Sequence, residues 1–132
     1  MENLELSELK FPSMREELVS YLAGLSDSDY QFRAWVERSS PNLAYDELDY
    51  TIHFLYDDTG LAENAYTWIG LVLKNDQEAR AIEDVVQAID ALFDKYGPDL
   101  SDKEYLEKEE WARIVCVSKD ALKFCFMVSE VV

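Results

Sequence analysis

Glycine and proline are scarce in this sequence, with four and three among 132 residues, and that scarcity removes the turn density on which sandwiches and barrels depend. Helices are the default that remains. Cysteine occurs twice, at Cys116 and Cys125. On one helix those positions stand ~13 Å apart along the axis and on opposite sides, whereas a disulfide needs Cα atoms within roughly 7 Å. Without a histidine nearby, two thiols also make a poor zinc site. The longest apolar run, Trp68 to Leu73, falls far short of the ~20 residues of a spanning helix. The leading stretch MENLELSELKFPSM lacks the basic start and apolar run of a secretory signal. The expectation is a soluble, cytoplasmic chain without a membrane partner.

Positive charge is the other shortage. Twelve lysines and arginines face 28 aspartates and glutamates, a net charge of -16, which repels phosphate backbones and anionic headgroups alike. Nucleic acid is therefore not expected as a partner. A field of this sign raises the encounter rate with basic proteins, so a cationic protein partner is the mode that the charge favours. The deficit is most concentrated from Ser39 to Leu73, where there is no lysine or arginine and where Asp46, Glu47, Asp49, Asp57, Asp58 and Glu63 stand unopposed.

What is present is a 48% hydrophobic composition with three tryptophans, eight tyrosines and six phenylalanines, sufficient for one domain with a core and too short for two. The fold expected is mainly α, a single compact bundle of about five helices over residues 14–132 preceded by an N-terminal extension over 1–13. Ser13 to Glu16 reads as a capping box opening MREELVSYLAGL, and the Ser26 to Asp29 stretch opens YQFRAWVERSS, which stops at Pro41. The clearest helix starts near Asn75 or Asp76. Its Ile82, Val85, Val86, Ile89, Leu92, Phe93 and Tyr96 form one apolar stripe, and Gly97 with Pro98 ends it. Ser101 to Glu104 is a second capping box, opening a helix expected to run to the end of the chain. There the apolar positions cover roughly 220° of the circumference, more than a helix lying on one surface needs. Such a helix is either central and contacted on two sides or partly a dimer or partner surface. An α+β alternative remains open, with a small strand element at 50–56 or 114–128, because YTIHFLY, IVCVS and LKFCFMV are rich in strand formers.

Candidate chemistry centres on HFLYDDTG, residues 53–60. A helix over 46–58 would turn Leu48, Ile52 and Leu55 inward and place Asp46, Asp49, Tyr50, His53 and Asp57 on the opposite face. His53 would then sit one turn from Asp49 and one turn from Asp57, which favours its charged form. Asp-Thr-Gly as an aspartic protease site needs a second aspartate across a symmetric loop on an all-β body. A divalent metal at His53 with Asp49 and Asp57 would have a single nitrogen ligand on an open surface, and supports only a minor alternative, a metal-assisted hydrolase. The plainer expectation is a helix closed by Gly60, with Asp57 and Asp58 as solvent-facing anions. A second acidic concentration surrounds Trp111. Glu107, Glu109 and Glu110 read as an anionic rim about an aromatic anchor. No calcium loop, phosphate loop, nucleophile with its base, or cofactor motif is found.

With LDYTIHFLYDDTGLAENAYTWIG and AIDALFDKYGPDLSDKEYLEKEEW both present, the chain resembles a family of small, acidic, mainly helical bacterial proteins of no assigned activity, from about Met14 to Trp111. That resemblance implies no catalytic residue. In size, acidity and absence of chemistry the chain is similar in type to immunity proteins of bacterial toxin systems. The reading that follows is a non-enzymatic partner-binding protein whose partner is a basic cognate toxin. Its partner-binding residues would be Asp46, Asp49, His53, Asp57, Asp58, Glu107, Glu109, Glu110 and Trp111, with neither metal nor cofactor. The alternative is a homodimeric regulatory or housekeeping protein joined through its C-terminal helix.

Overall fold

The computed structural model describes residues 4–37 and 46–126. Six helices follow in order: α1 (Pro12–Leu25), α2 (Ser28–Gln31), α3 (Leu48–Ile52), α4 (Asp76–Tyr96), α5 (Asp102–Leu106) and α6 (Glu109–Asp120). Short 3-10 turns lie at Leu6–Glu8 and Ala65–Trp68. Three of the helices continue without a break into wider π-helical turns, α2 into Phe32–Glu37, α3 into His53–Asp58 and α6 into Ala121–Phe126. Strand-like pairing among the described residues is confined to one bridge between Ile69 and Leu73. The fold is mainly α, and residues 50–56 and 114–126 are helical where a strand was the alternative.

The stripe on α4 does what its spacing dictates: Ile82, Val85, Ile89 and Leu92 are fully buried. Asn75 caps its start by accepting from the Glu78 amide, and Gly97, at φ 79°, ends it in a conformation that side-chain-bearing residues resist. α6 lies between α1 and α4 and packs on both. Trp111, Ile114, Val117, Ser118, Ala121 and Phe126 are all buried along it. Contact on two sides accounts for the wide apolar arc read there. Residues 127–132 of the expected helix lie outside the described residues.

Two expectations are corrected, at the start of the first helix and in the helix after Ser101. The first helix starts at Pro12, with Phe11 before it and no side-chain cap, so the Ser13 box does not form; proline's fixed φ suits the first helical position, where its missing N–H costs nothing. The segment that precedes this helix is hydrogen-bonded to the residues before α4 from Leu4 onward. The amides of Leu4, Lys10 and Phe11 donate to the carbonyls of Lys74, Gly70 and Leu71, and Leu9 is buried. Finally, the helix opened by the Ser101 box breaks at Glu107 and Lys108, where Lys108 is extended. Tyr105 and Trp111 are both buried, yet six residues apart on a continuous helix they would point about 120° from one another. The break brings both inward.

The core carries a polar lattice that no local pattern announces. Arg15 on α1 makes a two-pronged ion pair with Glu78 on α4, at 2.8 and 2.7 Å. Its Nη1 also donates to the Val72 carbonyl, while Glu78 accepts from the Lys74 amide at 2.7 Å. The two side chains are 7% and 2% exposed, and the Phe126 ring lies 4.9 Å from the guanidinium. Elsewhere the buried Gln31 amide donates to the carbonyls of Gly24 and Leu25, closing α1, and its oxygen accepts from the Trp111 indole at 2.9 Å.

Ser118 is the exception to this satisfaction. Its hydroxyl is fully buried on α6 with no partner among the described residues. Ser118→Ala removes a desolvated donor without opening a cavity, and is expected to raise unfolding stability by about 1 kcal/mol in urea titration.

Candidate functional site

The site is built on α3. Glu47, extended, precedes it, and the first helical amide, Leu48 N, donates to the Asp102 carboxylate of α5 at 3.0 Å. Leu48, Thr51, Phe54 and Leu55 are buried, so Asp49, Tyr50, His53, Asp57 and Asp58 are the exposed set. His53 Nδ1 and Asp57 Oδ2 meet at 2.7 Å, one turn apart and both more than half exposed. Asp46 departs from the expected face. It lies before the helix and is drawn beneath it, its Oδ2 accepting from the Tyr30 hydroxyl at 2.6 Å and the Trp35 indole at 2.9 Å, its Oδ1 from the Glu47 amide.

The triplet that ends this helix closes it differently from the sequence expectation. Thr59, not Gly60, makes the cap. Its amide and its buried hydroxyl both donate to the Phe54 carbonyl, and the hydroxyl oxygen accepts from the Leu61 amide. Gly60 serves a close approach instead, since a Cβ there would stand 3.1 Å from the Trp68 indole nitrogen. Asp57 and Asp58 remain on the surface. Among the described residues no three His, Cys, Asp or Glu side chains converge to hold a metal ion.

Beside α3 a groove of about 920 Å³ opens toward α4 and α5. Trp35, Leu48, Ile52, Phe93, Leu100 and Tyr105 form its apolar lining, and Glu47, Asp49, Asp57, Asp90 and Asp102 line it as well. Lys103 is the one basic side chain among the described residues that line it. Tyr56 crosses the wall and donates to Asp90 at 2.6 Å. Burial, then the Asp90 hydrogen bond, pushes that phenol well above its ordinary range, so it remains a donor. Tyr105 is also raised, first by burial, and its hydroxyl donates to the Gly97 carbonyl at the end of α4. An apolar floor under converging carboxylates can take a segment that is both cationic and apolar.

The structure brings Asp49 and Asp57 of the sequence-derived set into this groove. The second acidic concentration divides. Glu107 and Glu109 are exposed. Trp111 is 4% exposed and bound to Gln31, edge-on to Trp35 at 6.0 Å; it is a core residue and no surface anchor. The acids around it had suggested an interface, but the break at Lys108 turns the indole inward. Glu110 accepts from Lys95 at 2.7 Å and from the Tyr96 hydroxyl at 2.8 Å, tying α6 to the end of α4. Those two donors lower its carboxyl from 4.5 to about 2.

A carboxyl lowered on folding adds stability that is present above its unfolded pKa and is lost as pH falls through the folded one. The difference in stability between the native protein and Glu110→Gln should therefore be constant near neutrality and shrink between about pH 4.5 and pH 2. It should also be small, since Lys95 is 60% exposed. Thermal unfolding across that pH range reads it directly.

Asp90, Leu100 and Tyr56 were not singled out in the sequence, and Phe93 figured there only as a member of the α4 apolar stripe. Asp90 lies on the polar side of an ordinary amphipathic helix, and only the folded contact with Tyr56, 34 residues away, distinguishes it.

The chain matches the family model described as Domain of unknown function (DUF7945) over residues 9–129. The chain belongs to that family. It matches no curated protein and no solved structure. The family match begins at Leu9, which is buried. No helix among the described residues is long and apolar enough to cross a membrane.

Proposed function

We propose that this is a non-enzymatic binding protein, most concretely an immunity protein that neutralises a basic bacterial toxin domain by covering its positively charged face. The observation that carries the reading is the groove, where Asp49 and Asp57 stand over an apolar floor in a chain of net charge -16. Long-range attraction would speed encounter, and burial of an apolar residue of the partner against Phe93, Ile52 and Leu100 would hold the complex. The acids of α3 supply orientation more than affinity, because exposed ion pairs contribute little one at a time.

The test is protection in cells. The product of the adjacent reading frame is expressed alone and together with this protein: growth arrest relieved by co-expression is the expected result. Relief that survives charge reversal at both Asp49 and Asp57, or a neighbouring product with no effect on growth, would overturn the reading.

A further inference from the structure

The π-helical turn over His53–Asp58 that continues α3 decides which of its side chains face the groove. The Thr59 amide donates back five residues, to the Phe54 carbonyl, which is the spacing of a π turn. At about 100° per residue, eight residues of unbroken α-helix would carry Asp57 roughly 80° round the axis from Asp49. The five-residue hydrogen bonds widen the turn to about 4.4 residues, or roughly 82° per step, and four such steps from His53 bring Asp57 back to within about 10° of Asp49. Both aspartates accordingly line the groove. His53, one α turn after Asp49, stands about 40° to one side of that row. Next to the acidic row runs a largely apolar one, Leu48, Ile52 and Tyr56, which lines the same groove.

The rows are straight, and Asp49 and Asp57 are roughly 11 Å apart along the axis. On a second α-helix, residues seven apart are separated by about the same rise and lie within about 20° of one direction. A helix laid alongside α3 can therefore set two basic residues against the two carboxylates while its apolar residues, at three- and four-residue steps, seat against Ile52 and Phe93. Asp57 already pairs with His53 through Oδ2; a carboxylate accepts through both oxygens, so that contact does not exclude a second. An extended segment suits the groove less well. Helical walls bond their own backbone groups internally, so the N–H and C=O groups of an extended chain would lie unpaired over the apolar lining, whereas a helix satisfies its own. We propose, resting on the partner-binding reading of this groove, that the segment it receives is an amphipathic α-helix lying along α3, with two basic residues seven apart paired to Asp49 and Asp57.

Three blocked peptides of about 18 residues, built on alanine and glutamine with one leucine stripe, are titrated into the full chain and followed by NMR at the Asp49, Ile52 and Asp57 amides. The first carries two arginines seven apart, the second has the same composition with its arginines three apart, and the third is the first with a central proline. Saturable binding of the first is expected, with a Kd on the order of 100 μM or tighter and about threefold below that of the second, which can meet only one carboxylate at a time. The third should bind at least about tenfold more weakly than the first, because proline breaks the helix. Asp57→Asn should erase the preference for the seven-residue spacing. Asp84→Asn, an equal loss of charge at an exposed position elsewhere on α4, should preserve it. These titrations contain no toxin and the co-expression test no peptide, so failure of one is distinguishable from failure of the other. Absence of saturation with the first peptide, perturbation centred away from α3, equal affinity for the first two peptides, undiminished binding of the third, or a spacing preference that persists in Asp57→Asn would overturn the proposal.

Discussion

Glu78→Ala is expected to destabilise the protein by about 3–5 kcal/mol, because it leaves the Arg15 guanidinium charged and unpaired inside the core. A loss of that size is a large fraction of the roughly 5–15 kcal/mol by which domains are stable, so the variant should unfold at a much lower urea concentration and begin to melt near physiological temperature. The Lys74 amide adds to the cost, since Glu78 is its acceptor. Replacing both partners, Arg15→Met with Glu78→Leu, removes the stranded charge and should recover much of the loss. Recovery should be incomplete, because the Val72 carbonyl and the Lys74 amide would each be left without the partner they now have. Equilibrium denaturation of the two single variants and the double one measures this coupling. Additive losses would show that the pair is not energetically joined.

Reversal of both Asp49 and Asp57 to lysine should abolish most of the affinity for a basic partner while leaving the fold intact. Both side chains are exposed, and neither is a hydrogen-bond partner of the core. Two reversals convert attraction into repulsion at the mouth of the groove, and a loss on the order of 100-fold is expected, with much of it in the association rate. Removal of His53 should do little by comparison, since the polar contact its side chain makes among the described residues is with the exposed Asp57. Stopped-flow association at low salt separates the two effects. Trp111, by contrast, belongs to the core, so Trp111→Ala should lower stability, and any loss of binding should follow the unfolded fraction.

The pieces of this fold that were readable from sequence are those that depend on neighbours in the chain. The α4 stripe, its Asn75 cap and its Gly97 end, and the capping box at Ser101 and Glu104 all occur as their spacing requires. The exposed face of α3 followed for the same reason. The unreadable parts were decided by distant contacts. Arg15 and Glu78 are 63 residues apart, and each looks in sequence like an ordinary charge on a helix. The break at Lys108 answers to where Tyr105 and Trp111 must point, which depends on α2 and α4 and not on the local sequence. Asp46 was assigned to the solvent face because a helix was drawn through it, whereas Tyr30 and Trp35 hold it at the helix entrance. Thr59 took the role given to Gly60 because a threonine hydroxyl can satisfy two groups where glycine offers only conformational freedom. In the groove, the acids were visible and the apolar floor was not, since Phe93 and Ile52 read as core in any amphipathic helix.

The most direct measurement of the central proposal is the affinity between this protein and the purified product of the adjacent reading frame, determined by calorimetry at low and at high salt. A one-to-one complex is expected whose Kd rises at least about tenfold as salt screens the carboxylates of α3, and which is lost on charge reversal at Asp49 and Asp57. A complex indifferent to salt and to those two positions, or no complex with a folded and cationic neighbour, would contradict it.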